Sequence, residues 1–145
     1  MLDVSDDLDG WMMGSIVNRG SDNESSRGER PESVRVMVDP GICGFICSIL
    51  AWKDGKEVKF DIQSECGQIR KLAGTLGPIT VRDLFVPLTQ CPVFRCAEAS
   101  KCHLACPVPS SLIKAAEVVL GLALPKDATI RFLTSSCVNP FHRGG

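Results

Sequence analysis

The residues in this chain best suited to chemistry are its thiols. Eight cysteines stand at Cys43, Cys47, Cys66, Cys91, Cys96, Cys102, Cys106 and Cys137, with two histidines, His103 and His142. Thiolate and imidazole are the ligands of zinc and of iron–sulfur clusters. A thiolate is also the nucleophile of sulfur transfer and disulfide exchange. The densest cluster reads Cys102-His103-Leu104-Ala105-Cys106, which sets the imidazole about one helical turn from a thiol. It contains no paired Cys-x-x-Cys knuckle and no ferredoxin-type cysteine run, and Cys-His-x-x-Cys is not the haem-attachment order. No Ser/His/Asp arrangement, phosphate loop or nucleotide fingerprint occurs.

These thiols need elements to position them. Two alternating runs flank Asp54-Gly55, a strong hairpin signal. If those two residues form the turn, Lys53 pairs with Lys56 and, further along, Cys43 stands directly opposite Cys66. One face of the hairpin then carries Cys43, Phe45, Cys47, Ile49, Ala51, Val58, Phe60, Ile62, Ser64 and Cys66. The other carries Glu57, Lys59, Asp61, Gln63 and Glu65 opposite Ser48, Leu50 and Trp52. The first face is the core face, because a one-residue slip would bury the charged row.

Val34–Val38 alternates as a first strand, and Asp39-Pro40-Gly41 breaks it. After Cys66 the period lengthens: Ile69, Leu72, Ala73 and Leu76 mark a helix over 66–76 that stops at Gly77-Pro78. Thr80 caps a short helical turn through Asp83 to Phe85. Residues 87–109 read as irregular. Leu112, Ile113, Ala116, Val119 and Leu120 form one stripe of a helix over 110–121, capped by Ser110 or Ser111. Residues 128–133 alternate as a last strand.

Length and charge bound the rest. The 145 residues suit one domain with one modest core, here 33–134. A formal net charge of −1 implies no general attraction to nucleic acid or anionic membranes. Residues 1–32 carry 8 acids and 3 bases and little to bury, so a disordered acidic tail is expected there, and a flexible one over 135–145. No stretch approaches the roughly 18 apolar residues of a membrane span, and the acidic N-terminus is unlike a signal peptide. A reducing, cytoplasmic setting follows, in which clustered cysteines point to metal or catalysis rather than to disulfides.

From Gly41 to Gly121 the chain resembles the U-type iron–sulfur cluster scaffold proteins (IscU and the NifU N-terminal domain). The likeness rests on Gly41-Ile42-Cys43-Gly44 before a strand, the Asp54-Gly55 hairpin and Cys66-Gly67 opening a helix. It continues with the late His/Cys pair and Ile113-Lys114-Ala115-Ala116 in the next helix. It implies an α+β fold, an antiparallel three- to four-stranded sheet with helices on one face. It also implies a zinc ion or a [2Fe–2S] cluster held by three cysteines and a histidine. Carried across, these are Cys43, Cys66, Cys106 and, approximately, His103. A cysteine desulfurase or a cluster acceptor would be the partner. The sequence departs from that family where an aspartate usually stands two residues after the first cysteine; here it is Phe45. The family histidine also adjoins its cysteine, whereas two residues separate His103 from Cys106, and the chaperone-binding Leu-Pro-Pro-Val-Lys segment is absent.

Beside this metal reading, Cys102 is an alternative ligand or a redox partner, and Cys47 is a core residue. Cys91 and Cys96 read as free thiols, and Cys137 and His142 carry no assigned role. Cys66 and Cys106 each lie at the start of a helix, a position expected to lower a thiol's pKa. A small cysteine enzyme is therefore the second reading, with Cys66 or Cys106 attacking and Cys102 or Cys96 resolving. A structural zinc domain acting through protein contacts is the third.

Overall fold

The computed structural model of the protein describes residues 32–133. Apart from Glu32, whose carbonyl accepts from the Lys53 N–H at 3.0 Å, the two expected tails (1–32 and 135–145), with Trp11-Met12-Met13, Cys137 and His142, lie outside the described residues. The fold is α+β. Strands β1 (Ser33–Val38), β2 (Cys47–Asp54), β3 (Glu57–Ser64) and β4 (Ile79–Thr80) form one antiparallel sheet in sequence order. Helices α1 (Gly67–Thr75), α2 (Pro92–Ala99) and α3 (Val108–Val119) complete it. Helix α3 lies on β1 and β2, α1 lies on β3, and α2 touches both helices.

The period-2 pattern decides the buried face. Cys47, Ile49, Ala51 and Val58 are fully buried, and Val34, Val36, Phe60 and Ile62 pack against them. From the helices come Ile69, Leu72, Val93, Val108, Leu112 and Ala116. Each large side chain sealed this way stabilises the fold by about 1.5–3 kcal/mol. Leu50 and Trp52, on the opposite face, are half-buried.

The hairpin register differs from expectation by two residues. Asp54 pairs with Glu57, so the two-residue loop is Gly55-Lys56. Gly55 takes φ +63° while Lys56 stays at negative φ, the pattern of a type II′ turn with glycine first. Because side chains repeat every two residues, this shift changes every partner and no face. It does remove the expected opposition of Cys43 and Cys66. The ladder ends at Cys47↔Ser64, and beyond it the two chains part.

Three other expectations are corrected. Residues 87–109 are not irregular: Pro92 opens α2 at its first turn, where its missing N–H costs nothing, and Val93 and Ala97 are buried. Residues 128–133 form no strand and pair with nothing among the described residues. Ile130 is 82% and Phe132 92% exposed, because alternation without a neighbouring sheet edge gives no ladder. The fourth strand is instead β4. Helix α3 starts two residues early, with Pro107 rather than a serine at its cap, and the Ser111 hydroxyl donates back to the Pro107 carbonyl at 2.8 Å. Thr80 does stand at the N-cap of the short turn Val81–Leu84, and the Asp83 carboxylate reaches back to it, Oδ2 accepting from the Thr80 N–H at 2.7 Å.

Candidate metal centre

Where the ladder ends, the chain builds a cavity. Past β1, the Gly41 N–H donates to Asp39 Oδ1 at 3.0 Å, and the Gly44 N–H closes a turn onto the Gly41 carbonyl at 3.0 Å. Gly41 (φ +85°) and Gly44 (φ +70°) hold left-handed backbone that other residues rarely adopt, so glycine is required at both. Cys43 sits between them, exposed at the tip. The structure thus puts Cys43 in this turn and the half-exposed Phe45 just after it, neither of them in a strand.

Across from it, Cys66 is the N-cap of α1. Its N–H donates to Ser64 Oγ at 3.2 Å, and its thiol donates to Gln68 Oε1 at 3.2 Å. From the third side comes the connection between α2 and α3. There the Cys106 N–H donates to the His103 carbonyl at 3.0 Å, making a tight turn with Leu104 at its outer tip. The Cys106 thiol receives the Val108 backbone N–H at the start of α3.

These segments enclose one cavity of about 310 Å³. Its lining includes Cys43, Cys66, Cys102, His103 and Cys106, all five residues nominated from the sequence. Phe45, Ile69, Pro107 and Val108 make most of the remaining wall apolar. Sequence reading missed Gln68, whose signal was its place two residues after Cys66. Cys91 is buried at the N-cap of α2 and Cys96 packs against the core, so neither joins the cavity.

The thiols feel one another. Burial pushes the Cys106 thiol above its ordinary pKa; the Val108 N–H opposes this, and Cys66 and Cys43 add to the rise. Burial, then Cys106 and Cys66, raises Cys102. Cys47, 0% exposed at the first rung of β2, is pushed up to about 12 by burial, then by Cys106 and Cys66. The expectation of a lowered pKa at Cys106 is therefore corrected: desolvation outweighs one helix-end N–H. Cys47 packs in the core as expected, but it lies close enough to the cavity to sense two of its thiols.

The donor set suits a thiophilic ion by its chemistry: four sulfurs and one imidazole in a largely apolar wall. Among the described residues, however, no three His, Cys, Asp or Glu side chains are gathered in an arrangement that could hold a metal ion. The seven described cysteines are all free thiols. No described helix is long and apolar enough to cross a membrane.

Residues 34–132 match a family described as "Family of unknown function (DUF6951)". No curated protein and no solved structure matches the chain.

Proposed function

The chain belongs to the DUF6951 family, and for this member we propose a carrier-like binding protein for an iron–sulfur cluster, or for zinc. The observation that supports it most is the single cavity shared by Cys43, Cys66, Cys102, Cys106 and His103, drawn from three separate segments. In this reading Cys43, Cys66 and Cys106 are ligands, and the 102–103 pair supplies the fourth. A cluster would bring electron-transfer or sulfur-carrying chemistry; zinc would cross-link the three segments. The protein's part is to present the sulfurs in a largely apolar wall. Metal binding stabilises the arrangement that gathers its donors. Phe45 lines the wall where the resembled scaffold family carries an aspartate. An apolar side chain there favours retention of a cluster over rapid release.

Thiol catalysis is the weaker reading for Cys106, since desolvation raises the pKa of this half-buried thiol and a protonated thiol is a poor nucleophile. The test is anaerobic purification of wild type and of Cys43→Ser, Cys66→Ser and Cys106→Ser. Metal, acid-labile sulfide and the visible spectrum are measured on each. Iron with sulfide, or zinc, is expected in wild type and should fall in all three variants. A folded wild type that takes up neither, even after reconstitution, would end the proposal.

A further inference from the structure

Residues 121–133 follow α3 and are exposed throughout. The helix closes firmly before them. Gly121 stands in left-handed backbone at φ +73°, its N–H donates to the Val118 carbonyl at 3.0 Å, and the Leu122 N–H donates to the Glu117 carbonyl at 2.8 Å, the two bonds of a Schellman motif. Beyond it Leu124, Ile130, Phe132 and Leu133 are all exposed. One exposed apolar residue is ordinary, but several along one short segment mark a surface that something covers. Residues 128–133 also alternate, with Ile130 and Phe132 on one side and Thr129 and Arg131 on the other, in residue types that favour strands. Residues 128–132 lie inside the region that matches the family, as β2, β3 and β4 do.

The sheet has an edge that suits this arm. Strand β4 pairs only with Glu57 and Val58, so Lys59–Ser64 of β3 has β2 on one side and no strand on the other among the described residues. Phe60 and Ile62, on its core face, are half-buried, and Asp61, on its outward face, is exposed. An antiparallel strand with Arg131 opposite Asp61 sets Ile130 beside Ile62 and Phe132 beside Phe60. It joins opposite charges on the outward face to an aliphatic and an aromatic pair on the core face. The other edge strand fits less well. With Ile130 and Phe132 beside Val34 and Val36 of β1, Arg131 meets Arg35 as a like charge.

The arm does not reach that edge in its own chain. Helix α3 begins at the cavity, where Val108 lines the wall, and its 12 residues carry the chain about 18 Å away along β1 and β2. An antiparallel arm on β3 must start beside Ser64, back at the cavity end and across the sheet, with α1 lying on β3 in between. Residues 121–127 span at most about 25 Å, too little for that route around the molecule. We propose that residues 128–133 pair antiparallel with the open edge of β3, Lys59–Ser64, in a second copy of this chain, each copy lending its arm to the other. Reciprocal exchange closes on a two-fold axis, so the product is a dimer. It does not depend on what the cavity binds.

The test uses the full-length protein, reduced and without added metal. Mass in solution is measured by sedimentation equilibrium over a dilution series, and the fold of each variant is checked by circular dichroism. Wild type should be a dimer that dissociates on dilution. Phe132→Asp should raise the dissociation constant roughly 30-fold or more, as loss of a central aromatic anchor does. Leu104→Asp, at an exposed apolar residue outside the pairing, should leave it unchanged. Asp61→Arg and Arg131→Asp should each raise it roughly 5-fold, and the two together should return it to near the wild-type value. A wild type that stays monomeric at every concentration overturns the proposal, as does a dimer indifferent to Phe132→Asp. A dimer that is lost in Phe132→Asp but not rescued by the exchanged charges overturns the pairing with β3.

Discussion

The two ends of the β2–β3 hairpin are built from the same strands by different rules. At the closed end the chain turns in two residues, Gly55-Lys56, and the ladder runs to its last rung. At the open end the ladder stops at Cys47↔Ser64, and the strands lead into a glycine-held turn on one side and a helix cap on the other. The closed end is specified by neighbours in sequence. The open end is specified by which segments pack above Cys47, and it is there that the thiols collect. A regular ladder places side chains at fixed spacing along one face; a turn and helix ends instead bring thiols from separate segments to the wall of one cavity.

The shared body beneath both ends should carry most of the stability. Ile49 is fully buried in the middle of β2, so Ile49→Ala should cost about 2–5 kcal/mol in chemical denaturation. A loss well under that range would mean the two ends stabilise themselves separately.

The next effect belongs to the open end alone. Cys47 has a folded-state pKa raised from 9.0 to about 12. Its buried neutral thiol therefore contributes stability that is fully present below pH 9 and lost as pH rises towards 12. Between those limits the metal-free protein should lose up to about 1.4 kcal/mol per pH unit through this group. Cys47→Ala should flatten that slope. An unchanged slope would show that Cys47 is not sealed beneath the cavity.

The smallest effects set the ends directly against each other. Gly44 (φ +70°) and Gly55 (φ +63°) both hold left-handed backbone, and no atom lies within 4 Å of where a Cβ would stand at either. Gly44→Ala and Gly55→Ala should each cost about 1–2 kcal/mol, from backbone conformation alone. Only Gly44→Ala should also weaken metal binding, because it moves Cys43. Equal binding by both variants would place the site away from the 41–44 turn.

Much of the body was legible in the sequence. Val34–Val38 and the hairpin showed their period of two, and Ile69 with Leu72 and Leu112 with Ala116 showed the helical period. Those patterns are local, and burial enforces them. What misled was pattern without context. Residues 128–133 alternate like a strand but reach no sheet edge. Cys91-Pro92 looked like a loop because its proline and cysteines hid an eight-residue helix. Asp54-Gly55 suggested the wrong two turn residues, an error of partner and not of face.

The site divides in the same way. Composition by itself marked thiol chemistry; the predicted hairpin, the late His/Cys cluster and the family resemblance narrowed it to Cys43, Cys66, Cys102, His103 and Cys106, all of which are among the residues lining the cavity. The pairing of Cys43 with Cys66 across a ladder was wrong, because hydrogen-bonded register ends where the backbone departs from extended form. Whether Cys106 sits in a lowering or a raising environment depends on how much water the fold removes, and one helix-end N–H cannot offset that desolvation. The inward turn of Cys102 depends on Lys101 adopting a left-handed conformation that its residue type disfavours. Sequence determines what can bind and which faces are buried, since both follow from side-chain chemistry and short-range periodicity. Which thiols share a cavity is decided by the packing of α1 and α3 on the sheet with α2 against them, which brings three helix ends and one glycine turn to the same wall.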